Sequence, residues 1–255
     1  MQRIADLFAD ERRDGGVLFI RISKRSIQQR AQVVAKLRRK RFVQMQRVFI
    51  ECHLCGRHIL LGKGGSAEEA EHYRALFPGA EVIGFDYRAQ TPWEAKQEFP
   101  AFFRALRDRC DHLTLIANSI GAFFSLSSLS QTTVDEAYLI SPVVDMERLI
   151  GNMMHWAGVT EQELAEKQEI PTQFGETLSM QYLRYVREHP IVWQVPTRIV
   201  YGEHDNLTSM QTISAFAGKT GAALTVMPGG EHWFHTEAQM QFLDRWLQTR
   251  PEAKV

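Results

Sequence analysis

From residue 58 to the C-terminus, short apolar runs alternate with amphipathic stretches, and nothing else in the chain constrains its fold as much. Residues 58–61, 81–87, 112–117, 137–140, 198–201 and 223–227 read as strands. Residues 67–77, 91–110, 120–129, 209–217 and 237–248 read as helices between and after them. A strand that returns through a helix to the next strand pairs with it in parallel. Repetition of that unit predicts an α/β fold, a mostly parallel, doubly wound sheet with helices on both faces. The runs are apolar along most of their length, as strands covered on both sides should be.

The alternation stops between Pro142 and Pro196. Helices are expected there at 146–157, 160–168 and 176–188, with no clear strand. Thr160 followed three residues on by Glu163 has the spacing of a capping box, as does Ser66 with Glu69 in front of the first helix. The stretch is read as a small helical cap, about 143–195, inserted after a central strand. A mobile cap in this position is expected to choose among substrates.

The segment before residue 58 is different. The chain balances 30 Lys and Arg against 30 Asp and Glu, yet residues 1–57 carry 14 basic and 5 acidic residues, a net +9. No aromatic residues are interleaved with the basic ones, so a solvated appendage or extra edge strands fit better than a nucleic-acid-binding arm. Residues 1–57 are therefore set apart from a domain spanning 58–255, and are expected to be dispensable for its chemistry. Neither nucleic acid nor a membrane is expected as a partner. Charge is balanced overall, and no apolar run reaches the roughly 18 residues of a spanning helix. Three cysteines form no disulfide framework, and the start lacks an apolar secretory stretch, which favours a reducing cytoplasm. Cys52-His53-Leu54-Cys55 has no second Cys pair, so no metal is expected.

Ala117-Asn118-Ser119-Ile120-Gly121 is the pentapeptide with chemical content. Ser119 ends an apolar strand and opens a helix that begins with small residues. A nucleophile on so sharp a turn needs small neighbours two positions either side, and Ala117 and Gly121 supply them. A serine hydroxyl needs a base, and the base an orienting acid. Asp205, in Gly202-Glu203-His204-Asp205, follows one strand; His232, in Gly229-Gly230-Glu231-His232, follows the last. Asp145 is an alternative acid after strand 137–140, and His235 an alternative base. His155, His189 and His204 lack a strand-end position. Asp86 is expected to order a loop. Met153, Met154 and Trp156 are either an acyl-binding surface under the cap or the cap's own core.

With these motifs in order, residues 58–255 resemble the α/β-hydrolases. The resemblance implies Ser119 as nucleophile, Asp205 as acid and His232 as base. It also implies an oxyanion hole made by the Ile120 N–H and a second N–H in the loop Gly62-Lys63-Gly64-Gly65, from Lys63 or Gly64. That glycine-rich loop lacks the spacing of a phosphate-binding Walker A motif. The expected activity is hydrolysis of a small-molecule carboxylic ester or thioester through an acyl-enzyme, with no cofactor. Peptide or amide cleavage and carbon–carbon bond hydrolysis use the same set of residues. A non-catalytic small-molecule-binding homologue is the reading of another class.

Overall fold

The structure is a computed structural model, and it describes residues 47–53, 67–85, 87–129 and 134–249. Six strands form the main sheet: β1 (Arg47–His53), β2 (Glu81–Phe85), β3 (His112–Asn118), β4 (Glu136–Ile140), β7 (Thr197–Gly202) and β8 (Ala223–Met227). Their order is β2-β1-β3-β4-β7-β8. β3, β4, β7 and β8 pair in parallel. β1 runs antiparallel to both of its neighbours, which leaves β2 pointing the same way as the other four. The expected mostly parallel sheet is therefore present.

Alternation along the strands explains the two layers, because successive side chains leave opposite faces of a sheet. Leu113, Leu115 and Ala117 of β3, Ala137 and Leu139 of β4, and Ile199 and Tyr201 of β7 enter one core. Between them, Ile116, Tyr138, Ile140 and Val200 enter the other. The first face is covered by α2 (Pro92–Arg107), α3 (Ser119–Ser128) and α7 (Met210–Thr220). The second is covered by α1 (Ala67–Leu76) and α8 (Glu237–Gln248) through Tyr73, Leu243, Trp246 and Leu247. Thr91 starts α2 with a full capping box to Glu94, and Thr236 does the same for α8 with Gln239.

The insertion after β4 holds α4 (Met146–Ala157), α5 (Glu161–Lys167) and α6 (Met180–Glu188); Thr160 caps α5 by accepting from the Glu163 N–H, the first half of the expected capping box, while the Glu163 carboxylate accepts from Lys167. It also holds a two-stranded hairpin, β5 (Glu169–Pro171) and β6 (Thr177–Ser179), where no strand was expected. The helix expected from residue 176 begins only at Met180, because Ser179 takes the N-cap position and accepts from the Tyr182 N–H.

Two further expectations meet a different structure. β1 falls within the segment set apart as 1–57, yet it lies between β2 and β3 rather than at an edge. The sheet thus takes in residues before the expected division at 57/58. Cys110 is disulfide-bonded, where no disulfide was expected from the three cysteines. The expected strand at 58–61, the Ser66 cap and Asp86 lie outside the described residues. No helix among the described residues is long and apolar enough to cross a membrane.

Candidate active site

Ser119 stands where β3 ends and α3 begins, with φ +47°. A non-glycine residue in this left-handed region costs about 1–3 kcal/mol and persists only where its surroundings enforce it. Here the enforcing groups are visible. Ala117 and Gly121 are buried against the strand and helix, and the Val143 N–H, in the segment after β4, donates to the Ser119 carbonyl at 3.1 Å. The turn lifts the hydroxyl off the C-terminal edge of the sheet. The following residue, Ile120, is in the first turn of α3, where backbone N–H groups have no intrahelical acceptor. Lys63 and Gly64, expected to carry the second oxyanion donor, lie outside the described residues.

His232 meets that hydroxyl from the loop after β8. Ser119 Oγ and His232 Nε2 are 2.9 Å apart, and His232 Nδ1 lies 2.7 Å from Asp205 Oδ2. The side chains of His232 and Asp205 are 1% and 0% exposed. With an N–H on Nδ1 donating to the carboxylate, Nε2 keeps its lone pair for the serine O–H. The other Asp205 oxygen, Oδ1, accepts from the Leu207 N–H at 2.8 Å and the Thr208 N–H at 2.9 Å. Both carboxylate oxygens are therefore committed, and the plane of the acid is fixed. Thr208 is anchored in turn: its carbonyl accepts from the Tyr201 hydroxyl at 2.7 Å, and its own hydroxyl donates to the Pro142 carbonyl at 3.3 Å.

The acid and histidine loops are tied to each other directly. The His204 N–H donates to the Gly230 carbonyl, the Glu203 N–H to the Met227 carbonyl, and the Gly229 N–H to the Glu203 carboxylate. These bonds hold residues 27 apart in sequence at hydrogen-bonding distance, as the Asp205–His232 pair requires.

The alternatives sit elsewhere. Asp145 is exposed and caps α4 by accepting from the Arg148 N–H. His235 is exposed, its Nδ1 2.8 Å from the Trp233 carbonyl. His189 stacks on Tyr185, and His155 and His204 are exposed. Of the cap residues, Met154 is buried and lines a cleft of about 460 Å³ with Arg148, Leu183 and Arg187. Among the described residues that lining holds no member of the Ser119–His232–Asp205 chain. Met153 packs partly buried against the main core, and Trp156 is 45% exposed and lies edge-on to Phe174. Among the described residues no group of three or more His, Cys, Asp or Glu side chains could hold a metal.

Three residues near this end of the sheet were not singled out by their sequence context. Trp233, 38% exposed, stands edge-on to the His232 ring at 5.6 Å. Tyr87 and Tyr182 carry buried hydroxyls that have no hydrogen-bond partner among the described residues.

No protein-family model matches the sequence, and a sequence search of curated proteins finds no match. Solved structures do match. Est1E from Butyrivibrio proteoclasticus is similar with a TM-score of 0.58 at 16% identity, over 79% of this chain and 90% of Est1E. Mouse alpha/beta hydrolase domain-containing protein 10 gives 0.56 at 14% identity, over 79% and 93%. The esterase domain of a Rhodothermus marinus protein gives 0.50 at 13%, over 72% and 80%. Together with the sheet order and the inserted cap, these likenesses establish that the chain has the α/β-hydrolase fold.

Proposed function

We propose that the protein is a serine hydrolase that cleaves a carboxylic ester or thioester of a small molecule through an acyl-enzyme. The observation that carries this reading is the unbroken chain from Ser119 Oγ through the His232 ring to Asp205, buried at the C-terminal edge of the sheet. In the proposed mechanism the Ser119 hydroxyl gives its proton to His232 Nε2 as its oxygen attacks the carbonyl carbon. Asp205 holds the imidazole in the required tautomer and stabilises the imidazolium. Negative charge on the carbonyl oxygen is met by the Ile120 N–H and by an N–H of Lys63 or Gly64; loss of one such donor costs about 10²- to 10³-fold. His232 then protonates the departing alcohol or thiol. In the second half it takes a proton from water, whose oxygen attacks the acyl-enzyme, and returns that proton to Ser119 Oγ as the acid departs. The cap, through Met153, Met154 and Trp156, is proposed to select the acyl group.

The test is a panel of p-nitrophenyl esters, acyl thioesters and aminoacyl amides offered to the wild type, Ser119→Ala and Asp205→Asn. Turnover of esters or thioesters should vanish in Ser119→Ala and fall about 10³- to 10⁴-fold in Asp205→Asn, with the fold retained. A fluorophosphonate should add once to the wild type and not to Ser119→Ala. Turnover confined to the amides would move the activity to peptide or amide cleavage. Absence of both turnover and adduct would leave the binding-module reading.

A further inference from the structure

The loop after β2 and the cap helix α6 each bring a tyrosine hydroxyl into the interior, and among the described residues neither Tyr87 Oη nor Tyr182 Oη has a hydrogen-bond partner. Buried polar groups are nearly always paired, because an unmade bond forfeits the hydration the group has lost. Two such donors in one neighbourhood are a standing cost to the free protein.

Their position suggests what meets the cost. Tyr87 follows the C-terminal end of β2, the same end of the sheet at which β3 delivers Ser119. Its ring stands edge-on to Phe124 at 5.9 Å, on the helix that Ser119 opens, and 5.0 Å from Phe99 of α2. Tyr182 belongs to the cap and lies 5.8 Å from Trp93 at the start of α2. The segment carrying Tyr87 is held from α2: the Glu98 carboxylate accepts from the Arg88 and Ala89 N–H groups, and Glu94 from those of Gln90 and Thr91. Burial raises the Tyr87 phenol well above its ordinary pKa, with the Tyr182 and Glu98 charges adding to it. Burial, then the Glu176 charge, raises Tyr182 likewise, and burial raises the Glu176 carboxyl. Both phenols therefore remain O–H donors across neutral and alkaline pH. The acidic groups Glu98 and Glu176 beside them oppose an anionic ligand.

We propose that Tyr87 and Tyr182 are specificity-determining donors for an uncharged acceptor oxygen, a hydroxyl, ether or ketone, borne on the otherwise apolar acyl group of the substrate. This rests on the reading of Ser119 as an ester-cleaving nucleophile. Phe85, Phe99, Phe124 and Trp93 supply the apolar surround, and the two phenols supply the discrimination. A site built to hydrogen-bond one substrate oxygen penalises the analogue that lacks it, because the site's own buried donors are then left unpaired.

The experiment uses the full chain as wild type, Tyr87→Phe, Tyr182→Phe and the double variant. The substrates are p-nitrophenyl hexanoate, its chain-matched analogues with an ether oxygen at each successive position, and the corresponding keto and hydroxy esters. Rates are divided by uncatalysed hydrolysis to remove inductive effects. At one oxygen position the wild type should favour the oxygen-bearing ester by about tenfold or more in kcat/KM. Each Phe variant should lose that preference while keeping hexanoate turnover within about threefold, a split that general damage to the site would not give. The melting temperature of the ligand-free Phe variants should be unchanged or higher, since a partnerless hydroxyl has been removed. Equal loss on every ester, no preferred oxygen position, or a clear fall in melting temperature would overturn the proposal. Hexanoate turnover that disappears in Ser119→Ala would then leave the hydrolase reading standing. If no ester is turned over at all, both fail.

Discussion

Gly202 closes β7 with an ordinary backbone, yet it has no room for a side chain. A Cβ there would collide with the Glu231 carbonyl and lie 2.7 Å from the Gly230 carbonyl carbon and oxygen. Those atoms are backbone and cannot swing aside. The acid loop and the histidine loop can approach this closely only because residue 202 is glycine. Gly202→Ala should therefore push the two loops apart, costing about 1–3 kcal/mol as overpacking does. It should cost activity out of proportion, because His232 must hold 2.9 Å to Ser119 and 2.7 Å to Asp205 together. Thermal melting and ester kcat/KM would be compared with wild type; a variant of full activity would remove Gly202 from any part in positioning the site. Ser119, Asp205 and His232 were legible in the sequence because each type of residue stands just past an apolar strand, in a meaningful order. The room at Gly202 was not, since it depends on a loop almost 30 residues away. Tyr87 and Tyr182 were hidden for another reason: in an apolar stretch a tyrosine reads as core, and only the surroundings of its hydroxyl distinguish it.

Among the elements, those inside the strand–helix repeat were legible and the strands of three residues were not. α4, β8 and α8 have the bounds their sequence suggests. β5 and β6 are three residues each, too short for alternation, and are joined through a turn in which Gly175 has φ +95°. The junctions between elements rest on side chains that no periodicity reveals. At the end of α2, Arg107 grips both oxygens of Asp135 at 2.5 and 3.0 Å, and Asp135 also accepts from the Leu113 N–H at 2.7 Å, at the start of β3. Partial burial alone would raise the Asp135 carboxyl; the Arg107 and Leu113 bonds, with His112 nearby, outweigh it and hold the pKa below its ordinary value. A depressed carboxylate contributes stability above its unfolded pKa, about 3.9, and loses it as pH falls through the folded value. With both side chains partly exposed, the contribution is about 1 kcal/mol at neutral pH. Asp135→Asn should thus lower the melting temperature at pH 7, and the gap from wild type should narrow steadily below about pH 4. A gap that stayed constant down to pH 2.5 would mean that shape rather than charge holds this junction.

At the scale of the molecule, the doubly wound sheet and the inserted cap could be read from the sequence, whereas the sheet's beginning could not. β1 carries Arg47-Val48-Phe49-Ile50-Glu51, a short apolar run at the end of a strongly basic segment, and charge placed the division after this strand rather than before it. Parallel crossovers announce themselves by a helix between strands. β1 runs antiparallel to both neighbours, so it lacks that signature. Its register matters for the active site: Val48 pairs with Phe85 on one side and Ala117 on the other, and Arg47 pairs with Asn118, the residue before Ser119. A chain begun at residue 56 would leave β2 and β3 with facing rows of unpaired N–H and C=O groups, which invite aggregation. It would also remove the strand that backs the serine turn. A chain begun at Arg38 keeps every described residue, all of which fall in the compact unit Arg38–Val255. The two truncations should therefore part company. Residues 38–255 should purify as a folded species with ester kcat/KM within about tenfold of the full chain, or about 1.4 kcal/mol of transition-state binding. Residues 56–255 should aggregate, or remain soluble with circular dichroism poorer in strand and no turnover. Gel filtration, circular dichroism and one ester assay on both would decide it. A folded, active 56–255 would mean that the sheet can close between β2 and β3 without β1, and that the basic segment up to residue 55 is an appendage after all.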